Sequence, residues 1–212
     1  MAMGGGCAGK EEGAWILMAQ ALAERWFGKF METVRGHEAA GRLRDAAINA
    51  QLGEWTRALT SVVVAACEAM EWKGAAKRHR SSLLPVSRQE YLGLDVIAFE
   101  PEGDRRWRFP VAVFELENSA TDDRVAYSLW KVLCIRAQLR VVFCYREDGA
   151  EGAKLVRHLS AQAAQAMELS ERAALLGETL VVVGSRDDSK TFPYGFFKDW
   201  IYDINVGRFG RA

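Results

Sequence analysis

The sequence predicts an α/β fold, a mixed β-sheet flanked by helices with a helical extension on its N-terminal side. Three observations predict it. Residues 139–146 (LRVVFCYR) and 179–186 (TLVVVGSR) are unbroken runs rich in β-branched and aromatic residues, as strands covered on both faces require. Apolar residues at three- and four-residue spacing precede and separate these runs, which marks amphipathic helices. Two further strand-like stretches, 92–100 and 107–117, flank the turn-forming cluster PEGDRR at 101–106 and read as an antiparallel hairpin.

The chain has 212 residues, half of them hydrophobic, enough for one substantial core. Lysine plus arginine equals aspartate plus glutamate at 28 each, which argues against a partner held by bulk charge but not against a local basic patch. Cys7, Cys67, Cys134 and Cys144 show neither CxxC spacing nor a paired pattern. The last three sit in apolar stretches and are expected as reduced core thiols of a cytoplasmic protein. No stretch reaches the ~18–20 apolar residues of a spanning helix, so no membrane partner is expected. Residues 15–23 lie between Lys10, Glu11 and Glu12 on one side and Glu24 and Arg25 on the other. They read as the start of an amphipathic helix rather than an export signal. Residues 1–10 read as a disordered tail, 11–66 as an N-terminal helical region and 67–212 as the core.

In the helical region, Trp15, Met18, Leu22, Trp26 and Phe30 form an apolar stripe on a helix ending near Gly36. A second helix spans about 38–52, with Leu43, Ala46, Ala47 and Leu52, and Gly53 separates it from a third reaching about Lys77. These helices are either an integral flank of the core or a recognition or dimerisation module. Glu68 and Glu71 on the third helix read as surface carboxylates. The densest basic cluster follows at 72–80, WKGAAKRHR. Its Lys73, Lys77, Arg78 and Arg80 are either a solvated helix end, favoured by the helix dipole, or a set of phosphate contacts. Trp72 is a candidate for stacking on a base, whereas Trp15, Trp26 and Trp130 have core spacing. His37, His79 and His158 offer no ligand spacing.

Beyond the hairpin, Thr121 can cap a helix running to about Gln138, with Asp122 and Asp123 in its first turn. Val125, Leu129, Val132 and Leu133 form its core stripe, and Arg124, Tyr127 and Lys131 share another face. Strand, helix and strand here make a right-handed crossover. A helix is expected over 151–176, a turn over 184–190, and a last strand over 195–204 at the sheet edge.

The hairpin carries the chemistry. Val111 and Val113 point to one face and Ala112 and Phe114 to the other, after which Glu115 and Glu117 fall on one face, roughly 6–7 Å apart. Like charges that are buried need a counter-charge, and a divalent metal is the one that makes this placement useful. Asp95 sits near the start of the opposite arm, so antiparallel pairing brings all three carboxylates to one end of the hairpin. Taken singly, Asp95 reads as a strand-edge residue bonded to backbone, and Glu115 and Glu117 as solvated where the strand leaves the sheet. Asn118 ends the strand.

This order of elements resembles the PD-(D/E)XK nuclease superfamily, the restriction-endonuclease-like fold, over about 68–146, with looser support to 186. The motif residues are Asp95 in LGLDVIAFE, Glu115 and Glu117 in VFELEN, and Lys131 in YSLWKVL. Leu94 stands where a proline often precedes the aspartate, and Glu117 where the motif usually has lysine. The resemblance implies metal-dependent hydrolysis of phosphodiester bonds in nucleic acid, with DNA favoured. Asp95 and Glu115 would hold Mg²⁺ or Mn²⁺, and Glu117 would act as general base or add a ligand. Lys131 would stabilise developing negative charge, and a homodimer would supply the two sites needed to cut both strands of a duplex. Glu at 117 keeps open a silent nuclease fold that binds nucleic acid or a partner protein. A third reading is an interaction protein, one half of a toxin–antitoxin or restriction complex, with the N-terminal helices as interface.

Overall fold

The computed structural model describes residues 21–86, 90–101 and 107–211. The tail, the expected start of the first helix with Trp15 and Met18, and the turn residues 102–106 lie outside the described residues. Among the described residues three helices come first: α1 (Leu22–Arg35), α2 (His37–Ile48) and α3 (Leu52–Ala69). Strands β1 (Lys73–Ala76), β2 (Val96–Phe99) and β3 (Ala112–Leu116) follow. Then come α4 (Asp122–Leu133), β4 (Leu139–Arg146), α5 (Gly149–Leu159), a π turn (Ser160–Ala164) and α6 (Leu169–Ala174). The chain closes with β5 (Glu178–Ser185), a 3-10 turn (Asp187–Thr191), β6 (Phe197–Asp203) and β7 (Arg208–Arg211).

The strands form one mixed seven-stranded sheet in chain order. β1, β2 and β3 are antiparallel, β3, β4 and β5 are parallel, and β5, β6 and β7 are antiparallel again. Each parallel step carries helix between its strands, because the chain must return to the same end of the sheet. Helices cover both faces, which is why β4 and β5 are buried almost throughout. On one face α1 places Trp26 4.9 Å from Phe114 and Phe30 5.1 Å from both Phe143 and Phe197, ring to ring. Truncating such an aromatic to alanine costs about 3–5 kcal/mol. On the other face Val125, Leu129 and Val132 of α4 and Leu155 of α5 meet Val113, Val142 and Val181. The N-terminal helices are thus an integral flank of the core. α3 runs across the 66/67 boundary, and Val62, Val63, Ala66 and Cys67 join the same cluster as the sheet.

Several local expectations give way. α3 stops at Ala69, where Glu71 takes φ +63° and the chain turns into β1. The basic cluster therefore belongs to a strand and its turn, not to a helix end. Trp72 is buried in the core and cannot stack on a base, while Trp130 is 56% exposed despite its spacing. Cys67 and Cys144 are buried free thiols, but Cys134 is exposed. The helix expected over 151–176 breaks at Ser160, whose hydroxyl bonds back to the Val156 carbonyl and accepts the Phe209 N–H; such back-bonding bends helices. α4 ends at Leu133, short of Gln138. β6 is not an edge strand, because the short β7 pairs outside it. Among the described residues no helix is long and apolar enough to cross a membrane.

Candidate functional site

The register of the hairpin builds the site. Val96 pairs with Phe114, so Asp95 and Glu115 adjoin at the same end of β2 and β3. Asp95 Oδ2 accepts the Leu116 N–H at 2.7 Å, which fixes the carboxylate against the neighbouring strand. Glu115 is 6% exposed. The chain leaves β3, turns through 117–121 and enters α4, whose last turn returns Lys131 to the carboxylates. Lys131 Nζ lies 2.7 Å from Glu115 Oε1, in an ion pair without the alignment of a full hydrogen bond, and donates to the Gly93 carbonyl at 2.9 Å. Leu92 (φ +58°) and Gly93 (φ +66°) make the left-handed turn that presents this carbonyl.

Glu117 is engaged differently. Its Oε1 accepts the Ser119 N–H at 2.7 Å and its Oε2 accepts the Ser128 hydroxyl at 3.3 Å. It stands beside the Asp95–Glu115 pair, close enough for its charge to act on Asp95. Asn118 donates to Thr56 Oγ1 at 2.8 Å, so it ties the strand exit to α3.

Burial governs the electrostatics. It pushes Glu115 up to about 7, against the pull of Lys131 and with the help of the Asp95 charge. Burial raises Asp95 as well, offset in part by the Leu116 N–H and by Lys131. The Lys131 ammonium thus acts on both Asp95 and Glu115. Among the described residues no set of three His, Cys, Asp or Glu side chains converges as a metal cage. Magnesium seldom uses one: it binds through one or two carboxylates and completes its shell with water and substrate phosphate. Asp95 on the cleft and Glu115 beside it on the adjacent strand are two hard oxygen donors of the kind that fits Mg²⁺ or Mn²⁺.

Asp95 opens on a cleft of about 610 Å³ that Arg57, Thr56, Ser61, Lys77, Arg78 and His79 also line. Reciprocal Ala76 and His79 backbone hydrogen bonds of 2.9 Å close a tight turn that presents Lys77 and Arg78, the latter at φ +71°. His79 in turn meets the Ser61 hydroxyl at 3.3 Å. Two members of the expected basic set are therefore brought to Asp95 and two are not. Lys73 pairs with Phe99 at the far end of β2, three residues or roughly 10 Å from Val96, and Arg80 is exposed outside the cleft lining. Glu68 and Glu71 are exposed, as expected. Arg57 was missed, although Gly53, Thr56, Arg57, Thr60 and Ser61 recur at helical spacing and mark a polar stripe. The chain matches no known family model, and no curated protein or solved structure matches it significantly.

Proposed function

We propose that this protein is a metal-dependent nuclease of restriction-endonuclease-like fold that hydrolyses phosphodiester bonds in nucleic acid, with DNA favoured. The observation that carries this reading is the meeting of Asp95, Glu115 and Lys131, of which Asp95 lines a cleft that also bears Lys77 and Arg78. The order of helices, antiparallel hairpin, helix and parallel strand, on which the resemblance rests, supports it.

Asp95 and Glu115 would hold Mg²⁺ or Mn²⁺, which when bound polarises the scissile phosphate and eases deprotonation of the attacking water. Glu117, oriented by Ser119 and Ser128, takes the proton of that water as general base. The Lys131 ammonium balances the negative charge that grows on the phosphate oxygens in the transition state. Lys77 and Arg78 hold flanking phosphates and set the strand along the cleft. A silent fold that only binds nucleic acid is the second reading, favoured by one observation: Lys131 already occupies Glu115.

The test is cleavage of single- and double-stranded DNA and RNA with Mg²⁺, Mn²⁺ or EDTA. Cutting by wild type with metal, lost in Asp95→Ala, Glu115→Ala and Lys131→Ala, is the expected result. Salt-dependent binding without cleavage under any metal would replace the enzyme with the binding protein.

A further inference from the structure

The outer face of α4 carries two large rings that neither the core nor the proposed reaction uses. The buried side of this helix is Val125, Ser128, Leu129 and Val132. Tyr127 and Trp130 lie away from it, 60% and 56% exposed, and belong to neither side of the hydrophobic core. Their ring centroids are 5.9 Å apart with the planes inclined at 32°, and among the described residues neither ring meets a third aromatic. A single exposed apolar side chain needs no explanation, but two adjoining large rings mark a surface that a partner covers.

The surroundings of the rings narrow the partner. Residues three and four apart on a helix are neighbours, with Cβ atoms about 5–6 Å apart. Arg124 stands three before Tyr127 and is exposed, without an ion pair among the described residues. Lys131 stands four after Tyr127 and next to Trp130, and its ammonium is the one that lies 2.7 Å from Glu115. One side chain therefore links the rings to the proposed metal pair. The carboxylates of the first turn face other groups: Asp122 pairs with Arg146, and Asp123 lies 3.8 Å from His158. The centre of a protein–protein interface is depleted of charge. Rings interleaved with cations instead match a nucleic acid strand, whose bases each offer a face to an aromatic ring while its phosphates meet the cations. Bases inside a duplex have both faces covered by their neighbours, so the strand must be unpaired here.

We propose that this face of α4 is a stacking platform for two unpaired bases of the strand whose phosphate lies at Asp95 and Glu115. Tyr127 and Trp130 each take one base, and Arg124 meets a phosphate beyond them. The proposal rests on the nuclease reading of the site, and it names the substrate as a nucleic acid with an unpaired stretch.

The test is binding by fluorescence anisotropy, with Ca²⁺ as the hard cation, of three 12-residue ligands: single-stranded oligo-dT, a fully abasic chain and a blunt duplex. Wild type should bind oligo-dT about 100-fold more tightly than the abasic chain, tenfold for each base, the lower range of what stacking one base contributes. Tyr127→Ala and Trp130→Ala should each weaken oligo-dT binding about tenfold and leave abasic and duplex binding unchanged, which also shows that both variants are folded. Tyr127→Phe keeps the ring and should bind as wild type does. Equal binding of oligo-dT and the abasic chain by wild type, or an oligo-dT affinity that survives both alanine variants, would overturn the platform while leaving the nuclease reading intact. Duplex binding weakened as much as oligo-dT binding would overturn the assignment to unpaired bases. A dimer of wild type in sedimentation equilibrium that both alanine variants reduce to monomer would make a second copy of the chain the partner of this face and overturn the proposal. No binding of any of the three ligands would overturn the nuclease reading and the platform with it.

Discussion

Replacing Glu115 by glutamine removes a charge that the fold holds away from water and keeps the shape of the side chain. Burial lifts this carboxyl from an ordinary value near 4.5 to about 7. In the unfolded chain a glutamate titrates near 4.3, so below about pH 4 the group is neutral in both states and wild type loses nothing. As pH rises towards and through 7, the native state binds more protons than the unfolded one, and stability falls. At about 1.36 kcal/mol per pKa unit the ceiling is about 3.5 kcal/mol at pH 8. Solvent screening, and the loss of a partner for Lys131, reduce the net gain of Glu115→Gln to about 1–2 kcal/mol. For a chain of this size that is a rise in Tm of about 3–6 °C. Thermal unfolding of both proteins in EDTA at pH 5, 6, 7 and 8 measures it. The two melting temperatures should nearly coincide at pH 5 and separate steadily above it. A difference independent of pH, or a variant less stable than wild type at pH 8, would refute the reasoning. It would mean that the ion pair with Lys131 outweighs the desolvation of Glu115.

Other consequences follow from the same geometry. Double substitution of Lys77 and Arg78 by alanine should weaken nucleic-acid binding across sequences and flatten the plot of log K against log salt by about two units of slope, read from titrations at several salt concentrations. Asn118→Ala removes the tie between β3 and α3, and should lower stability by about 1 kcal/mol in urea unfolding. Gly177, at φ +84°, stands where a Cβ would come within 2.5 Å of the Gln138 carbonyl oxygen. Gly177→Ala should therefore cost at least about 2 kcal/mol, a fall in Tm of about 4–8 °C in the same thermal assay.

Much of this structure was legible where side-chain pattern and local geometry agree. The hydrophobic run 139–146 became β4 residue for residue, and the hairpin with Asp95 and Glu115 side by side followed from period-2 alternation around a turn cluster. Lys131 was legible because helical spacing set it apart from the Val125–Leu129–Val132 stripe, although its distance to Glu115 depends on the five-residue link before α4. Other features were set by tertiary pairing. Lys73–Ala76 carries a helix-friendly sequence, and its strand exists because the edge of β2 was open to it. β7, with Gly210 between Arg208 and Arg211 and Phe209, has almost no intrinsic strand signal. Trp130 keeps core spacing with Trp26-like regularity but lies on the solvent side of α4, since spacing gives a face and not what covers it. The division of labour among Glu115, Glu117 and Lys131 was hidden for a similar reason: Ser119 and Ser128 claim Glu117, and neither stands out in the sequence.

Asp95 and Glu115 are proposed as a divalent-cation pair, and metal binding tests that role whatever the substrate is. The measurement is a Mn²⁺ titration at pH 8, following free Mn²⁺ by electron paramagnetic resonance, for wild type, Asp95→Asn, Glu115→Gln and Glu117→Gln. Saturable binding by wild type and Glu117→Gln, lost in Asp95→Asn and in Glu115→Gln, is the expected result. Binding by either of those two variants equal to wild type, or no saturable binding by wild type, would contradict it.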